Sequence, residues 1–369
     1  MKTIPLCDLG QEYTLIRKEL DPLLEKILSS GSYVLGPESD RFEKTLAAYC
    51  EVRHAVGVNS GTDAIGLAAR AAGVKPGDEV IVPAMTFIGS IEPVILLGAR
   101  PIFVDIDPVT YALDAGEVRK KISPKTKAII AVHLYGMPAD LLALQAIAKE
   151  TGVTLIEDMA QAIGCEFNGR KIGSFGTLAC LSFYPTKNLG ACGDAGAVLT
   201  SDEELADHVR QLRNHGAKIK YQHEEVAYNT RLDDIQAAIL RVKLGHLDEW
   251  NDRRIQLARE YTRRLAGLPV TTPKELPGRK HTYHVYALQT PRRDALREFL
   301  QKRGISSALH YPIPLHLLPA LRPYGGREGD FPNSEQLARQ MVSIPLYPHM
   351  TLDDVGTVSD AIRDFFKTP

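Results

Sequence analysis

Two segments of this chain carry residues that could do chemistry together. The run Ser182-Phe-Tyr-Pro-Thr-Lys187-Asn-Leu-Gly-Ala-Cys-Gly-Asp-Ala-Gly196 puts a lysine on a glycine-rich loop, about one strand-loop-strand after Glu157-Asp158-Met-Ala-Gln161. A loop lysine can form an imine with an aldehyde. An aspartate closing an upstream strand can hold a positive charge on a ring nitrogen. A pyridoxal phosphate (PLP) enzyme needs these two fixed points, a Schiff-base lysine at Lys187 and a pyridinium partner at Asp158. A lone loop lysine is usually only solvated. Gly190, Gly193 and Gly196 add weight, because they let backbone pack closely around a ligand.

Other residues could serve the same ligand. In Val58-Asn-Ser60-Gly61-Thr62 a strand ends, a small polar turn follows and a helix starts. The first amides of a helix and its dipole favour an anion, although an ordinary N-cap is the better explanation of this run taken alone. Phe87, in Pro83-Ala-Met-Thr86-Phe87, could stack on a flat ring or fill the core. Gln161 could reach a ligand held by Asp158, and Asp158 itself could instead cap a helix or bind magnesium. Glu157, its neighbour, points to the opposite face and reads as structural. Ser182 could bind phosphate and Tyr184 a substrate.

Two patterns are decoys. Gly164-x-x-x-x-Gly169-Arg-Lys lacks the Gly-Lys-Ser/Thr of a phosphate loop. His310 and His316 are spaced too loosely for a helical metal pair and have no acidic neighbour in sequence, so no metal is expected. The absence of Gly-x-Gly-x-x-Gly counts against a nicotinamide dehydrogenase.

The elements that must position these residues alternate. Short apolar runs at 55–58, 79–82, 100–105, 128–134, 154–157, 179–183 and 197–200 read as strands, with helical stretches such as 62–73 and 140–151 between them. Non-alternating apolar strands separated by helices predict α/β architecture with a mainly parallel sheet covered on both faces. Ligands then bind outside the carboxyl ends of the strands. Residues 10–50 read as two helices parted by a turn at 31–37. Residues 231–266 read as one long amphipathic helix, with Ile235, Ile239, Val242, Leu247 and Trp250 on its apolar side. Beyond it, 283–289, 293–303 and 342–346 suggest a smaller α+β unit. We expect a large domain over 1–245 and a small one over 246–369.

Bulk properties narrow the class. The 369 residues are 44% apolar and 24% charged, with a net charge of −1, ordinary values for a soluble enzyme. The balance gives no electrostatic reason to expect nucleic acid or a membrane surface. No signal core opens the chain and no apolar run reaches spanning length. Five scattered cysteines without Cys-x-x-Cys spacing point to a reducing cytoplasm.

As an ordered set, several motifs make the chain resemble the DegT/DnrJ/EryC1/StrS sugar aminotransferases, PLP enzymes of fold type I. They are Gly57-Val-Asn-Ser-Gly-Thr-Asp-Ala64, Gly77-Asp-Glu-Val-Ile-Val-Pro83, Phe103-Val-Asp-Ile-Asp107, Val132-His-Leu-Tyr-Gly136, Glu157-Asp-Met-Ala-Gln-Ala162, Ser182-Phe-Tyr-Pro-Thr-Lys-Asn-Leu-Gly190, Tyr228-Asn-Thr-Arg231 and Leu309-His-Tyr-Pro312. The resemblance implies that Lys187 is the Schiff-base lysine and Asp158 the pyridinium partner. It implies Gly61, Thr62 and Ser182 at the phosphate, Phe87 over the ring and Gln161 near the ring hydroxyl. Asn229 matches an asparagine that reaches the phosphate of a neighbouring subunit, which implies a homodimer with shared sites.

It also implies the reaction, transamination of a nucleotide-linked keto-deoxysugar with L-glutamate as donor. The loop Gly193-Asp194-Ala195-Gly196, in place of the frequent Gly-Glu-Gly-Gly, is similar to members acting at C-3, so the expected substrate is a dTDP-3-keto-6-deoxyhexose. A C-4 keto sugar and a UDP-linked 3-keto sugar are the alternatives. Tyr184, His310, Tyr311, His316, Lys218 and Lys220 are candidates for sugar or diphosphate contacts, and Arg231 for the donor carboxylate. A sugar dehydratase of this fold would carry histidine in place of Lys187. A regulatory relative would have no need of Lys187 and Asp158 together.

Overall fold

A computed structural model describes residues 3–367. Two helices open it, α1 (Leu9–Ser30) and α2 (Pro37–Tyr49). Asp8 caps α1 by accepting the Gln11 amide, and Gly31 ends it in the left-handed conformation.

Then come β1 (His54–Val58), α3 (Gly61–Ala71), β2 (Glu79–Pro83), α4 (Glu92–Leu96), β3 (Arg100–Val104), α5 (Ala115–Lys121), β4 (Thr126–Val132), α6 (Leu141–Thr151) and β5 (Thr154–Asp158). A small hairpin, β6 (Glu166–Phe167) and β7 (Arg170–Lys171), precedes β8 (Leu178–Ser182) and β9 (Gly196–Thr200). The Gly164–Lys171 stretch is therefore a hairpin and not a phosphate loop.

Seven strands form one sheet in the order β1-β9-β8-β5-β4-β2-β3. From β3 through β8 every pairing is parallel, and β9 is antiparallel to both its neighbours. Strand interiors such as Val80–Val82 and Ala128–Ala131 are wholly buried, as a sheet covered on both faces requires. The register aligns Val132, Asp158 and Cys180. The carboxyl ends of β1, β2, β4, β5 and β8 thus share one edge.

After α7 (Glu203–Leu212), the hairpin β10 (Ala217–Ile219) and β11 (Gln222–His223) stands exposed. The single helix expected over 231–266 is two, α8 (Asp234–Leu244) and α9 (Leu247–Leu265). The amides of Gly245 and His246 bond three residues back, to Val242 and Lys243, which tightens and ends the first helix at a poor helix former. The break redirects the chain from one core toward another, with Leu247 and Trp250 at the start of α9 still packed beside residues of α8. Leu240 and Leu244 of α8 pack with Phe42 and Phe183, whereas Leu257 and Tyr261 of α9 pack with Tyr286 and Ile344. The rest comprises β12 (Arg279–Lys280), β13 (Tyr286–Gln289), α10 (Arg293–Lys302), α11 (Pro332–Gln340), β14 (Met341–Ile344) and α12 (Leu352–Lys367). β13 and β14 pair antiparallel.

This C-terminal part is fastened to the sheet edge. Asp105, just past β3, accepts the Asn333 and Ser334 amides and the Ser334 hydroxyl at the start of α11. The Leu315 amide donates to the Ala84 carbonyl past β2 at 2.7 Å. The stretch just before Leu315, which carries His310 and Tyr311, is thereby laid over the strand ends.

Candidate active site

A cavity of about 520 Å³ lies at that edge. Its wall joins Ser60, Gly61 and Thr62 after β1, Thr86, Phe87 and Ser90 after β2, and Asp158 and Gln161 at the end of β5. Ser182, Tyr184, Lys187 and Asp194 come from the β8–β9 connection, and His284, His310 and Tyr311 from the C-terminal part. Ten residues expected from the sequence therefore meet in space: Gly61, Thr62, Phe87, Asp158, Gln161, Ser182, Tyr184, Lys187, His310 and Tyr311.

Strand alternation separates the two carboxylates of β5. Glu157 turns into the core, where it accepts the amides of Gly173, Phe175 and Gly176. His133 Nδ1 accepts the Ala139 amide, so its Nε2–H donates to Glu157 at 3.1 Å. Asp158 turns to the cavity. Its Oδ2 accepts the Ser90 hydroxyl at 2.6 Å and its Oδ1 the Ala160 amide at 3.0 Å. Asp158 is 3% exposed and has no ion-pair partner within 4.0 Å among the described residues. A buried carboxylate left without a cation suits a ligand that brings a protonated ring nitrogen.

Lys187 belongs to a braced loop. Its amide bonds the Tyr184 carbonyl at 2.8 Å. From α8, Lys243 donates to the Gly190 carbonyl at 2.7 Å, and Gln236 binds both the amide and the carbonyl of Cys192. Lys243 is itself paired with Glu12 of α1. Gly190 is required here, since a Cβ would fall 2.2 Å from the Pro185 carbonyl oxygen. Burial pushes the Lys187 pKa down from 10.5 to about 8, against the opposing pull of Asp158.

At the other end of the cavity Ser60 caps α3 by accepting the Asp63 amide at 3.0 Å. The amides of Gly61 and Thr62 lie in the first turn and have no intrahelical acceptor. Gly61 abuts Ser182, whose Cβ would stand 2.5 Å from a Cβ at 61. Helix start and Ser182 thus form one small polar cradle. Gln161 accepts the Tyr135 amide at 2.8 Å and donates to the Tyr311 hydroxyl at 3.0 Å. Phe87 is 53% exposed and faces Tyr311 at 5.5 Å between ring centres, leaving a ring face open to a flat ligand.

An amine of lowered pKa, an unpaired buried acid, an anion cradle and an open aromatic face fit PLP in charge and shape. Lys187, Asp158, the cradle and Phe87 are the groups that could hold it.

The family model for DegT/DnrJ/EryC1/StrS aminotransferases matches residues 14–363. The chain belongs to the DegT/DnrJ/EryC1/StrS aminotransferase family. It is 47% identical over 363 residues to a dTDP-3-amino-3,4,6-trideoxy-alpha-D-glucose transaminase of Streptomyces venezuelae, covering 98% of this chain and 96% of that one. It is 45% identical over 367 residues to a pleiotropic regulatory protein of Geobacillus stearothermophilus, covering 99% of each. The solved structure of S. venezuelae DesV superposes with a TM-score of 0.98 at 47% identity, over 100% of both chains. PLP is the cofactor of this aminotransferase family, and solved structures of similar chains carry its amino form, PMP.

Within the aminotransferase chain some expected residues stand apart from the cavity wall. Asn229 is exposed and bridges Asn214, Arg231 donates to Asn214 Oδ1 at 3.0 Å, and Lys218 and Lys220 sit on the exposed β10–β11 hairpin. His316 also lies off the cavity wall. It is 1% exposed and its Nε2 pairs with Glu335 at 3.2 Å. Its acidic partner lies 19 residues on and was invisible as a local pattern.

Three residues were not foreseen, Ser90, Thr86 and His284. Thr86 Oγ1 and Ser90 Oγ lie 2.9 Å apart, forming a hydroxyl pair behind Asp158. Burial and the Lys187 charge hold His284 well below the usual histidine range and take His310 to about 4, so both rings face the cavity neutral. Burial also pushes the Tyr311 hydroxyl up, keeping it a proton donor.

Proposed function

We propose that this aminotransferase moves nitrogen from L-glutamate to C-3 of a nucleotide-linked keto-deoxysugar, a dTDP-3-keto-6-deoxyhexose. The observation that carries the reading is the meeting of Lys187 and Asp158 in one cavity, in a chain 47% identical to a dTDP-amino-sugar transaminase. When bound, PLP supplies an aldehyde that bonds an amine and a ring that takes up the electron pair of a breaking Cα–H bond. Lys187 would hold it and, once displaced, would take the Cα proton on Nζ and return it in the second half-reaction. A pKa near 8 leaves a usable share of free amine at neutral pH. Asp158, oriented by Ser90 and Ala160, would keep the ring nitrogen protonated. Gly61, Thr62 and Ser182 would bind the phosphate, Phe87 the ring face and Gln161 the ring hydroxyl. Tyr184, His310 and Tyr311 would meet the sugar.

Asn229, Lys218, Lys220 and Arg231 lie off the wall of this cavity, and on this reading they complete the site of a partner subunit in a homodimer. Exposed Tyr33, Val34, Tyr221 and Val226 support such a surface. The reading divides the chain into domains at 245/246, where α8 gives way to α9, and places the enzyme in the cytoplasm. Among the described residues no helix is long and apolar enough to cross a membrane.

The test incubates the PLP-loaded protein with glutamate and a panel of dTDP- and UDP-linked 3-keto and 4-keto sugars. Glutamate should bleach the visible absorbance of the lysine-bound cofactor, and NMR should place nitrogen at C-3 of a dTDP-sugar. Lys187→Ala should lose both. A wild-type protein that binds PLP yet answers no amino donor would instead favour a regulatory role, the reading suggested by the likeness to the G. stearothermophilus protein.

A further inference from the structure

Tyr135, in the motif Val132-His-Leu-Tyr-Gly136 that follows β4, is 1% exposed and lies off the cavity wall. Its backbone is left-handed, at φ 60° and ψ 4°. A bulky residue keeps that conformation only where its surroundings fix it. Three contacts do so. The Tyr135 amide donates to Gln161 Oε1 at 2.8 Å. Its carbonyl accepts the His284 amide at 2.9 Å. Its hydroxyl donates to the His310 carbonyl. One buried residue thus joins the end of β4, the turn after β5 and the C-terminal segment over the cavity.

These bonds have a fixed polarity. A backbone amide only donates, so the end of Gln161 at Tyr135 is the oxygen. The nitrogen is therefore the end that meets Tyr311, giving one N–H to its hydroxyl at 3.0 Å. The Tyr311 oxygen accepts in that bond. Among the described residues nothing accepts the Tyr311 proton, and burial keeps that proton on the oxygen. Tyr311 lines the cavity beside Phe87, so the proton is offered to what fills it.

We propose that Tyr135 is a positioning residue that sets Tyr311 as a hydrogen-bond donor to an oxygen of the keto sugar. Its amide turns the Gln161 nitrogen toward Tyr311, and its hydroxyl holds the peptide that leads into Tyr311. The inference rests on reading the cavity as the site of keto-sugar transamination. A donor fixed before the ligand arrives avoids the cost of ordering it on binding.

Other ties on this segment act elsewhere. Ser343 Oγ meets the His310 ring at Nδ1, 2.8 Å away, and the Leu315 amide bonds the Ala84 carbonyl at 2.7 Å. Neither touches the peptide between His310 and Tyr311, or the phenol.

The first readout is nitration by tetranitromethane in the full chain, with and without PLP, followed by mass spectrometry of tyrosine peptides. The reagent attacks the phenolate. Tyr135→Phe keeps the ring and loses the bond to His310. Tyr311 should then react about tenfold faster than in wild type, as one unit of the burial effect is lost. Tyr111 packs edge-on against Tyr135 at 5.7 Å and is held by Gln289 at 2.7 Å. It should keep its wild-type rate. An unchanged Tyr311 rate, or equal acceleration of Tyr111 and Tyr311, overturns the proposal.

The second readout is a double-mutant cycle on kcat/KM for the 3-keto sugar found active in the panel above. Tyr311→Phe and Tyr135→Phe should each lower it about tenfold, the loss of one hydrogen bond. The double variant should be no worse than Tyr311→Phe alone. Losses that multiply overturn the proposal. If the panel yields no substrate, the functional reading fails, and the nitration rates alone decide whether Tyr135 positions Tyr311.

Discussion

Lys187→Met should make the cofactor-free protein more stable while abolishing its chemistry. An ammonium held in a largely dry wall costs folding energy. Its pKa falls from 10.5 to about 8, roughly two and a half units or about 3 kcal/mol as an upper bound. Contact with cavity water reduces this to about 1–3 kcal/mol. The sign follows from proton binding. Below pH 8 both folded and unfolded chains carry the proton, and the full cost is present. Between pH 8 and 10.5 the folded chain sheds it while the unfolded chain keeps it, so wild-type stability rises with pH through that window. Methionine has similar length and no charge, so the variant lacks this dependence. Urea midpoints at pH 7 and pH 10, with unchanged m-values, measure the gap. The variant should be more stable at pH 7, and most of the difference should vanish at pH 10. Other groups titrate in both proteins and cancel. A variant less stable at pH 7, or a gap equal at both pH values, would refute the reasoning.

Ser90→Ala removes the 2.6 Å donor to Asp158. A hydrogen bond to a charged group contributes about 1.5–3 kcal/mol. Turnover should drop about tenfold with cofactor affinity little changed, as steady-state kinetics and PLP titration would show. Gly61→Ala puts a Cβ 2.5 Å from the Ser182 Cβ. Overpacking of this kind costs about 1–3 kcal/mol, so PLP affinity should weaken about tenfold or more in equilibrium titration. Glu157→Gln sets an NH2 against the donors that the carboxylate now accepts, from Gly173, Phe175, Gly176 and His133. The urea midpoint should report a loss of about 2–4 kcal/mol, and wild-type stability would show that these bonds do little.

What the sequence discloses depends on how far apart the partners lie. The β5 run reveals its strand, and the period of two then assigns Asp158 to the ligand side and Glu157 to the core without any knowledge of their partners. The start of α3 and the glycines around Lys187 are local signals too. Ser90 is legible only through Asp158, 68 residues away, and His284 only through Asn188, 96 residues away. A single serine or histidine among apolar neighbours has no pattern to distinguish it. The reversal of β9 is silent for a similar reason, because a fully buried strand looks the same in either direction. At Gly245–His246 the helical period continues on both sides, and only the glycine marks the break.

The local signals name the groups that would touch a ligand, and the distant contacts decide their chemical state. Asp158 stands at its strand end whether or not Ser90 is present, but Ser90 and Ala160 aim its oxygens. Lys187 is on its loop regardless of α8, but Lys243 and Gln236 hold that loop against the wall where burial lowers the amine's pKa. Ligand-contacting residues and their supports can therefore fail separately. Substituting Lys187 should end the chemistry at once, whereas loosening Lys243 from Gly190 should leave every ligand-contacting residue in the chain and still return the amine toward its solvent pKa.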